Sequence, residues 1–384
     1  MLDVQAVRAF FDDAHVEWAE AASVFAERTL AALPVPSDDD AGRAQAREVV
    51  GLLGEGGWLR PVENQDLRGA CLAREAIAGV SSLADAVYAL QALSATPLLL
   101  ADNIGQRDRW LPRLLDGTSM GAFAMTEPEA GSDVASMGTR AVRDGDGYVL
   151  TGTKTLISNA GIADVYIVFA STDPEQGSRG LSAFAVPAEA DGLEFVRPLV
   201  MSAPHPLGEI AFHDCRVPGD ARLGAEGEGF KLGMATFDRL RPTVAAAACG
   251  MAGRALDEAE AHALSRHQFG KPLGDFQLVQ QKLARMATEL TAARLLTYRA
   301  AWERDGGAGR ITVEAAMAKA YATEAAQRIV DDAIQILGGR GVLADSVVDR
   351  LYRSVRALRI YEGSTDIQHL IIASHRLKAR REGR

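Results

Sequence analysis

The spacing of apolar residues changes twice along the chain and separates three regions. In the first region Val7, Phe10 and Ala14 recur at helical spacing, and a looser helical pattern runs from Leu72 to Leu93. Prolines and acidic residues in segment 34–40 indicate a loop between helical stretches. This first region is therefore predicted to be helical.

Apolar runs become short from about Gly121, and turn residues separate them. These runs are rich in the residue types that favour strands. They lie at Tyr148 to Leu150, Val165 to Ser171, Leu181 to Val186 and Glu209 to Phe212. Two Asp-Gly pairs in segment 144–147 are typical of turns. The pattern predicts a compact β region.

Helical spacing returns after Gly229. Apolar residues from Phe276 to Ala293 recur at steps of three and four, and a second long helix is predicted from Thr312 to Leu337, capped by the glycines that follow it. The chain is thus predicted to be mainly α with a central β domain. We expect an N-terminal helical domain at residues 1–120, a middle β domain at 121–226 and a C-terminal helical domain at 227–384.

Composition narrows the class of protein. Apolar residues make up 48% of the 384 residues and charged residues 24%, as in ordinary globular proteins. The net charge of −10 argues against nucleic acid as a partner, because phosphate binding needs a basic stripe. Apolar stretches such as Val244 to Cys249 are far shorter than a membrane span, and no secretory leader is recognised. We expect a cytoplasmic protein without a membrane partner. The three scattered cysteines are expected to be small buried apolar residues, with no metal site and no disulfide.

Three segments at element boundaries have both a structural and a cofactor-binding interpretation. Met125 to Asp133 joins helices to strands, either as a simple turn or as backbone close to a planar cofactor, with hydroxyls at its polar edges. Leu156 to Asn159 follows a strand and by itself is an edge. Arg266 to Gly270 follows a helix, and its arginine either complements the helix dipole or holds a pyrophosphate beside an aromatic ring. Spacing alone leaves these alternatives open.

Two further segments lie near the C-terminus. Gln335 to Gly341 is rich in glycine, but it lacks the strand-then-GxGxxG order and the Walker lysine, so a helix C-cap is the default interpretation. Ile360 to Gln368 places Glu362 between apolar and glycine residues before a helical run. That carboxylate either assists a helix N-terminus or, in a desolvated pocket, has the raised pKa that a base for a weakly acidic C–H requires.

Taken together, in this order and at these separations, the five segments resemble the acyl-CoA dehydrogenase family over nearly the whole chain. Segments 236–242 and 255–259 resemble its medium- and short-chain branch. The resemblance implies a helical N-terminal domain, a small β-barrel-like middle domain and a C-terminal four-helix bundle. It also implies FAD as cofactor, electron-transfer flavoprotein as electron acceptor, and a homo-oligomer that is a dimer or a tetramer.

The family's functional residues are carried over by motif. Glu362 matches the base that removes the α-proton of an acyl thioester while the β-hydride passes to flavin N5, which gives a trans-2-enoyl thioester. The positions that resemble FAD contacts are Met125, Thr126, Ser132, Ile157, Ser158, Arg266, Phe269, Gln277, Gln335, Gly338, Gly339, Ser364 and Asp366. In the family, the positions of Gln335 and the two glycines after it belong to the neighbouring chain. The positions that resemble substrate contacts are Ser132, Asp238, Arg241 and Gly363.

Departures from the family pattern bear on the base and on the substrate. The isovaleryl and long-chain branches place their glutamate at a position that corresponds to Leu240, so Glu362 has no rival. Leu156 stands where the family often has an aromatic residue beside the flavin. The loop between Val196 and Phe212 is short and lacks the usual arginine and Ser/Thr pair, and its His205 is expected to be a loop residue.

Four functions remain open on the sequence. The first is dehydrogenation of an acyl-CoA, and the second is the same chemistry on an acyl or aminoacyl group carried by a carrier protein, because both carriers present pantetheine. The third is a flavin monooxygenase or oxidase on the same fold, against which Glu362 argues. The fourth is a non-enzymatic flavoprotein.

Overall fold

The chain forms two compact units, described here from a computed structural model of residues 4–383. Residues 1–3 and 384, at the ends of the outer predicted domains, lie outside the described residues. The first unit contains residues 4–34, 66–85 and 241–383, and the second contains residues 35–65 and 86–240. The order of helices, sheet and helices along the chain is confirmed, whereas the three linear domain boundaries remain a prediction.

Helices make up most of the first unit. In chain order the α-helices of both units are α1 (Asp13–Phe25), α2 (Asp39–Glu55), α3 (Arg60–Glu63), α4 (Leu67–Ala78), α5 (Ser82–Leu100), α6 (Ile104–Leu115), α7 (Gly229–Ser265), α8 (Gln277–Asp305), α9 (Thr312–Leu337), α10 (Val347–Leu358) and α11 (Thr365–Arg381). The core of α7, α8, α9 and α10 is rich in buried alanine, including Ala248 and Ala322. Small side chains let helix backbones approach closely, so this core positions residues of α9 against its neighbours.

Polar side chains set several helix starts. The Asp38 side chain accepts a hydrogen bond from the backbone N–H of Ala41 at 2.9 Å, and α2 begins at Asp39. The interpretation of segment 34–40 as a loop was therefore wrong at its end, because acidic residues there cap α2 and complement its dipole. Helix α9 has the bounds that the sequence predicts, and Gly338 ends it with a φ of 59°.

One mixed sheet is the centre of the second unit. Its strands are β1 (Gly121–Ala124), β2 (Arg140–Asp144), β3 (Gly147–Ser158), β4 (Val165–Ser171), β5 (Leu181–Pro187), β6 (Leu193–Pro198), β7 (Leu207–Val217) and β8 (Arg222–Leu223). The strand order is β6-β7-β3-β2-β4-β5-β8, and β1 pairs with β4 in parallel. Two short strands, β9 (His267–Gln268) and β10 (Lys271–Pro272), form a separate hairpin in the first unit. The sheet core includes Val168, Phe184 and Phe212, all within 1% exposure.

Strand β3 is longer than the sequence predicts. The predicted turn at segment 144–147 is the turn of a hairpin that joins β2 to β3, with Asp144 opposite Gly147. Segment 156–158 was expected to follow a strand, and this prediction was wrong. The segment is the end of β3, because Ile157 and Ser158 pair with β7. A register shift between Lys154 and Ile157 interrupts the ladder, and this shift hides the strand from a simple alternation pattern.

Helix α5 is long and apolar enough to cross a membrane by length and composition, the one such helix in the described part of the chain. Of its 18-residue window, 89% is buried inside the protein, as in a core helix. The prediction that the cysteines are small buried residues is confirmed, since Cys71, Cys215 and Cys249 are all buried and free.

Candidate active site

Glu362 lies in a tight turn between α10 and α11. Its backbone has a φ of 54°, and Gly363 follows with a φ of 90°. The left-handed region costs a non-glycine residue about 1–2 kcal/mol, so the surrounding structure must impose it. Such conformations concentrate at functional sites. The turn is therefore the first candidate for a place where chemistry occurs.

Three side chains hold the two carbonyl groups of this turn. Arg241 Nε donates to the Glu362 carbonyl oxygen at 3.1 Å, and Lys319 Nζ donates to the Gly363 carbonyl oxygen at 2.7 Å. Gln368 Nε2 also donates to the Gly363 oxygen, at 2.9 Å. These donors come from α7, α9 and α11, so three helices fix one turn. The conformation of the turn is a property of the packed helices rather than of its own residues.

The start of α11 completes the turn. Ser364 is the N-cap residue, and its side chain accepts a hydrogen bond from Ile367 N at 3.4 Å. Asp366 lies exposed in the first helical turn, where a carboxylate complements the helix dipole. Thr365 Oγ1 donates to Glu324 Oε1 at 2.8 Å. The sequence predicts Ser364 and Asp366 as FAD contacts, and the structure shows that both also stabilise the helix.

The Glu362 carboxylate is enclosed although the residue as a whole is half-buried. Its Oε2 atom is buried and makes no hydrogen bond to any residue from 4 to 383. Burial raises the pKa of this carboxyl, the nearby cations Arg74, Lys319 and Arg241 lower it, and Asp85 raises it. The net direction is upward. A carboxylate with a free, enclosed oxygen and a raised pKa can act as a general base.

Arg74 and Lys319 are two functional neighbours that the sequence analysis missed. Arg74 is 1% exposed, and its Nε donates to Asp85 Oδ1 at 2.7 Å. Lys319 is 0% exposed, and burial lowers the pKa of its amine to about 8. Each is a lone basic residue in a run of small apolar residues, at segments 70–78 and 315–322. A charge in such a run is the signal that could have found them.

Two predicted flavin-binding segments lie side by side in the second unit. Backbone N–H of Thr155 donates to the Thr126 carbonyl at 3.0 Å, which joins the segment after β1 to the end of β3. The Lys154 ammonium donates to the Met125 carbonyl at 3.1 Å and to Glu127 Oε1 at 2.7 Å. Burial lowers the pKa of Lys154 to about 8. This buried ion pair fixes the backbone on which Met125 and Thr126 stand.

The end of β3 carries the other residues of this group. Ile157 is buried, whereas Ser158 is half-buried and its hydroxyl lies 2.6 Å from His205 Nε2. Burial lowers the pKa of His205 to about 4, so this imidazole is neutral. Leu156 has a φ of 55° and is 58% exposed, an apolar side chain in a costly conformation. Ser132 lies exposed in the loop after β1.

The residues expected at the pyrophosphate and adenosine are all exposed in the first unit. Phe269, at the tip of the β9–β10 hairpin, is 94% exposed with a φ of 52°. The others in this group are Arg266, Gln277, Gln335, Gly338 and Gly339. A side chain added at Gly338 or Gly339 would meet nothing within 4 Å. These positions present an open surface that a ligand or another chain could cover.

Helix α7 carries two of the four predicted substrate residues and the alternative base position. Asp238 is half-buried. Leu240 is 5% exposed, so the position of the other branches holds a buried apolar side chain. Arg241 is 4% exposed and donates to the turn, as described above. The Nε atom of this guanidinium is therefore used by the backbone of Glu362.

The residues present fit FAD. A planar apolar ring needs an apolar wall and polar atoms at its edge. Exposed Leu156 offers the wall, and the Thr126 and Ser158 hydroxyls, on the two backbone segments joined at Thr155, offer the polar atoms. The exposed Phe269 and Arg266 suit an adenine and a pyrophosphate. Whether each predicted contact is made stays a prediction.

Comparisons with known proteins agree with this arrangement. The family model of the acyl-CoA dehydrogenase middle domain matches residues 122–215, and that of its C-terminal domain matches residues 227–377. A 3-(aryl)acrylate reductase from Clostridium sporogenes is 37% identical over 96% of this chain and 100% of its own length. The mitochondrial short-chain specific acyl-CoA dehydrogenase of Rattus norvegicus is 39% identical over 93% of this chain and 88% of its own.

Solved structures share the fold. Butyryl-CoA dehydrogenase from Megasphaera elsdenii superposes with a TM-score of 0.89 at 33% identity, covering 96% of this chain and 99% of that one. The prolyl acyl carrier protein oxidase AnaB gives a TM-score of 0.84 at 29% identity, covering 95% and 99%. The fold and the glutamate turn are those of a flavin-dependent oxidoreductase. The chain belongs to the acyl-CoA dehydrogenase family, whose members use FAD, and the resemblance predicted from the sequence is confirmed.

Proposed function

We propose that this enzyme dehydrogenates an acyl-CoA thioester between its α and β carbons, with Glu362 as the base. The observation that carries the proposal is the enclosed, unpartnered Oε2 atom of Glu362 in a strained turn held by three helices. The similarity to short-chain and butyryl-CoA dehydrogenases supports an acyl-CoA substrate. The expected product is the trans-2-enoyl thioester.

A base for this reaction is an ionised carboxylate whose pKa is high enough for it to accept a proton from carbon. Desolvation raises the Glu362 pKa, which brings its basicity closer to that of the thioester α-carbon. Arg74, Lys319 and Arg241 offset part of this effect, because their positive charges stabilise the ionised carboxylate. The free Oε2 atom is the atom that we assign to the proton. FAD, when bound, supplies the hydride acceptor for the β-carbon.

Acidifying the α C–H requires hydrogen bonds to the thioester carbonyl. The backbone N–H of Glu362 makes no hydrogen bond within the part of the chain that the structure describes. The two carbonyls of the turn are already occupied by side-chain donors. We assign this N–H to the thioester oxygen, so one residue would polarise the substrate and accept its proton.

The second candidate is the same reaction on a thioester carried by a carrier protein. The likeness to AnaB, a prolyl acyl carrier protein oxidase, supports it. So does the departure from the family pattern between Val196 and Phe212, where the structure has the end of β6, a short loop at residues 199–206 and the start of β7. An oxidase differs from a dehydrogenase in its second half-reaction, which returns electrons to oxygen. The presence of Glu362 keeps the first half-reaction the same in both cases.

We also propose electron-transfer flavoprotein as the electron acceptor and a cytoplasmic homodimer or homotetramer as the working form. The exposed adenosine-side residues support an assembly in which a second chain covers them. Three free cysteines are compatible with a reducing compartment. A flavin that is reduced by thioester but reoxidised slowly by air would support an electron carrier as partner.

The test of the reaction is anaerobic bleaching of the flavin. Purified enzyme is mixed with straight-chain, branched and aryl CoA thioesters, and then with aminoacyl and acyl carrier proteins. Rapid loss of flavin absorbance with a CoA thioester supports the leading proposal, and bleaching only with a loaded carrier supports the second. If neither set bleaches the flavin, the dehydrogenase assignment fails.

A further inference from the structure

Lys319 is a fully buried lysine whose charge has no carboxylate at hydrogen-bond distance in the described part of the chain. Lys154, also 0% exposed, lies 2.7 Å from Glu127. Lys319 instead donates to the Gly363 carbonyl oxygen at 2.7 Å. Burying an ammonium is expensive unless something compensates for lost solvation, and a carbonyl compensates less than a carboxylate. A cost of this kind at the turn of the base indicates a function.

We propose that Lys319 is a positioning residue, which holds the Gly363 carbonyl so that the base turn keeps its left-handed form and which places a positive charge opposite the Glu362 carboxylate. This inference rests on the proposed role of Glu362 as base. It adds a residue of α9, 43 positions before the base, to the machinery of proton removal.

The geometric part follows from the hydrogen bonds of the turn. Glu362 adopts a φ of 54° and Gly363 a φ of 90°, and the carbonyls of both residues point to buried donors. Without Lys319, Gln368 Nε2 is the remaining donor to the Gly363 oxygen. The peptide then loses its strongest, charge-assisted hydrogen bond, and the conformational cost at Glu362 favours relaxation. Relaxation would move both the carboxylate and the backbone N–H assigned to the thioester.

Four charged groups near the Glu362 carboxylate shift its pKa. Arg74 on α4, Lys319 on α9 and Arg241 on α7 lower the Glu362 pKa, whereas Asp85 at the start of α5 raises it. Tyr361 beside the base stays a neutral phenol, because burial raises its pKa.

Burial and several charged groups also shift the pKa of the Lys319 amine. Burial lowers the pKa of its amine to about 8, while Glu362 and Glu324 raise it and Arg241 lowers it further. Lys319 is therefore mostly charged at neutral pH, and its removal takes away one of the three cations that lower the pKa of Glu362. The base then needs a higher pH to lose its proton.

The experiment compares Lys319→Met with Thr323→Val in the FAD-loaded enzyme. Thr323 lies one turn further along α9 and is 0% exposed, and among the described residues its hydroxyl donates to its own helix, at the Lys319 carbonyl, so its change controls for disturbance of the helix. Lys319→Arg keeps the charge and provides the rescue. The readouts are FAD content, hydrogen exchange of the backbone amides in segment 359–368, and the pH profile of flavin reduction at saturating thioester.

For Lys319→Met we expect FAD to remain bound, amide exchange in segment 359–368 to become faster, and maximal flavin reduction to fall roughly tenfold. The acidic limb of the profile should move to higher pH by roughly one unit, and Lys319→Arg should return it toward wild type. Thr323→Val should leave FAD content, amide exchange and the pH profile of flavin reduction unchanged. If the amide exchange rates and the acidic limb of Lys319→Met equal those of Thr323→Val, Lys319 does not position the turn.

Failure of the proposed function gives a different result. If no thioester reduces the wild-type flavin, or if Glu362 proves dispensable, the pH comparison loses its meaning, but the exchange measurement needs no substrate and still tests whether Lys319 holds the turn. If Lys319→Met does not fold, Lys319→Gln, which also removes the charge, takes its place in both tests. Exchange in segment 359–368 and an acidic limb equal to those of Thr323→Val would then contradict the positioning role.

Discussion

Glu362 combines two features that each destabilise the folded chain: a left-handed backbone and an enclosed carboxylate oxygen, Oε2, that accepts no hydrogen bond from the described residues. Residues selected only for stability rarely show either feature, and the two together suit a base that must accept a proton. A conflict between activity and stability should therefore be measurable at this single position.

Glu362→Gln should raise the melting temperature at neutral pH. The folded-state pKa of Glu362 is raised above 4.5, so its contribution to stability is present below the unfolded value and is lost as pH rises through the folded value. Glutamine removes this penalty, and the gain should shrink toward pH 4.5. Calorimetry at pH 7.5 and pH 4.5 tests this, and a variant less stable than wild type at pH 7.5 would contradict it.

Gly363→Ala should disable the turn more than its backbone angle explains. A Cβ there would lie 2.6 Å from Gln368 Nε2, whereas Gly307, with a φ of 93°, has nothing within 4 Å. Gly363→Ala and the control Gly307→Ala should each cost about 1–2 kcal/mol of stability, because both positions have a positive φ. Only Gly363→Ala should also slow flavin reduction, by roughly tenfold or more. Equal effects on the rate would show that the contact with Gln368 is irrelevant.

At the scale of elements, β3 and the segment after β1 act as one support. Lys154 joins them by donating to the Met125 carbonyl and to Glu127, which also accepts from the backbone N–H of Thr139 at 3.0 Å. The predicted flavin contacts on these segments thus depend on a pair of buried charges. Neither charge is expected to touch the flavin.

Lys154→Met should leave the Glu127 carboxylate buried without its cation and destabilise the enzyme by about 3–5 kcal/mol. It should also weaken FAD binding, because the Met125–Thr126 backbone loses a donor. Urea unfolding and FAD titration measure the two effects. The double change Lys154→Met with Glu127→Gln should recover part of the stability, and a double variant as unstable as the sum of the singles would contradict this coupling.

Local patterns predicted the elements better than the contacts between them. The bounds of α9 and β4 follow from helical spacing, a glycine cap and a β-branched run, all of which lie within one segment. The end of β3 was missed because its register shift depends on pairing with β7, about 50 residues away. Tertiary pairing of this kind leaves little trace in one sequence.

The same distinction applies to the site. From the motifs alone Glu362 could be proposed as the base and Leu240 set aside as the alternative position, and both assignments stay predictions. The contacts of Arg74 and Lys319 could not be predicted, because helices distant in sequence bring these residues near Glu362 and nothing local marks their partners. A lone charge in an alanine-rich run was the one available signal.

For the whole molecule, the proposed shared FAD site can be tested by complementation. Arg266→Ala and Gly339→Glu should each fold, since Arg266 is exposed and a side chain at Gly339 meets nothing within 4 Å, yet each should bind FAD poorly. If the two positions on different chains serve one cofactor, a mixed dimer has one site with both defects and one intact site. Co-expression should therefore restore FAD to about half of the sites in mixed dimers. No recovery in mixed dimers would contradict a shared site.

The central claim is that Glu362 removes the α-proton, and one measurement tests it most directly. The thioester that bleaches the wild-type flavin fastest is mixed anaerobically with Glu362→Gln, after FAD content and thioester binding have been shown to match wild type. The account predicts a loss of flavin reduction of roughly a hundredfold to ten-thousandfold, the usual contribution of a general base. Reduction of Glu362→Gln at the wild-type rate would contradict it and place the base elsewhere.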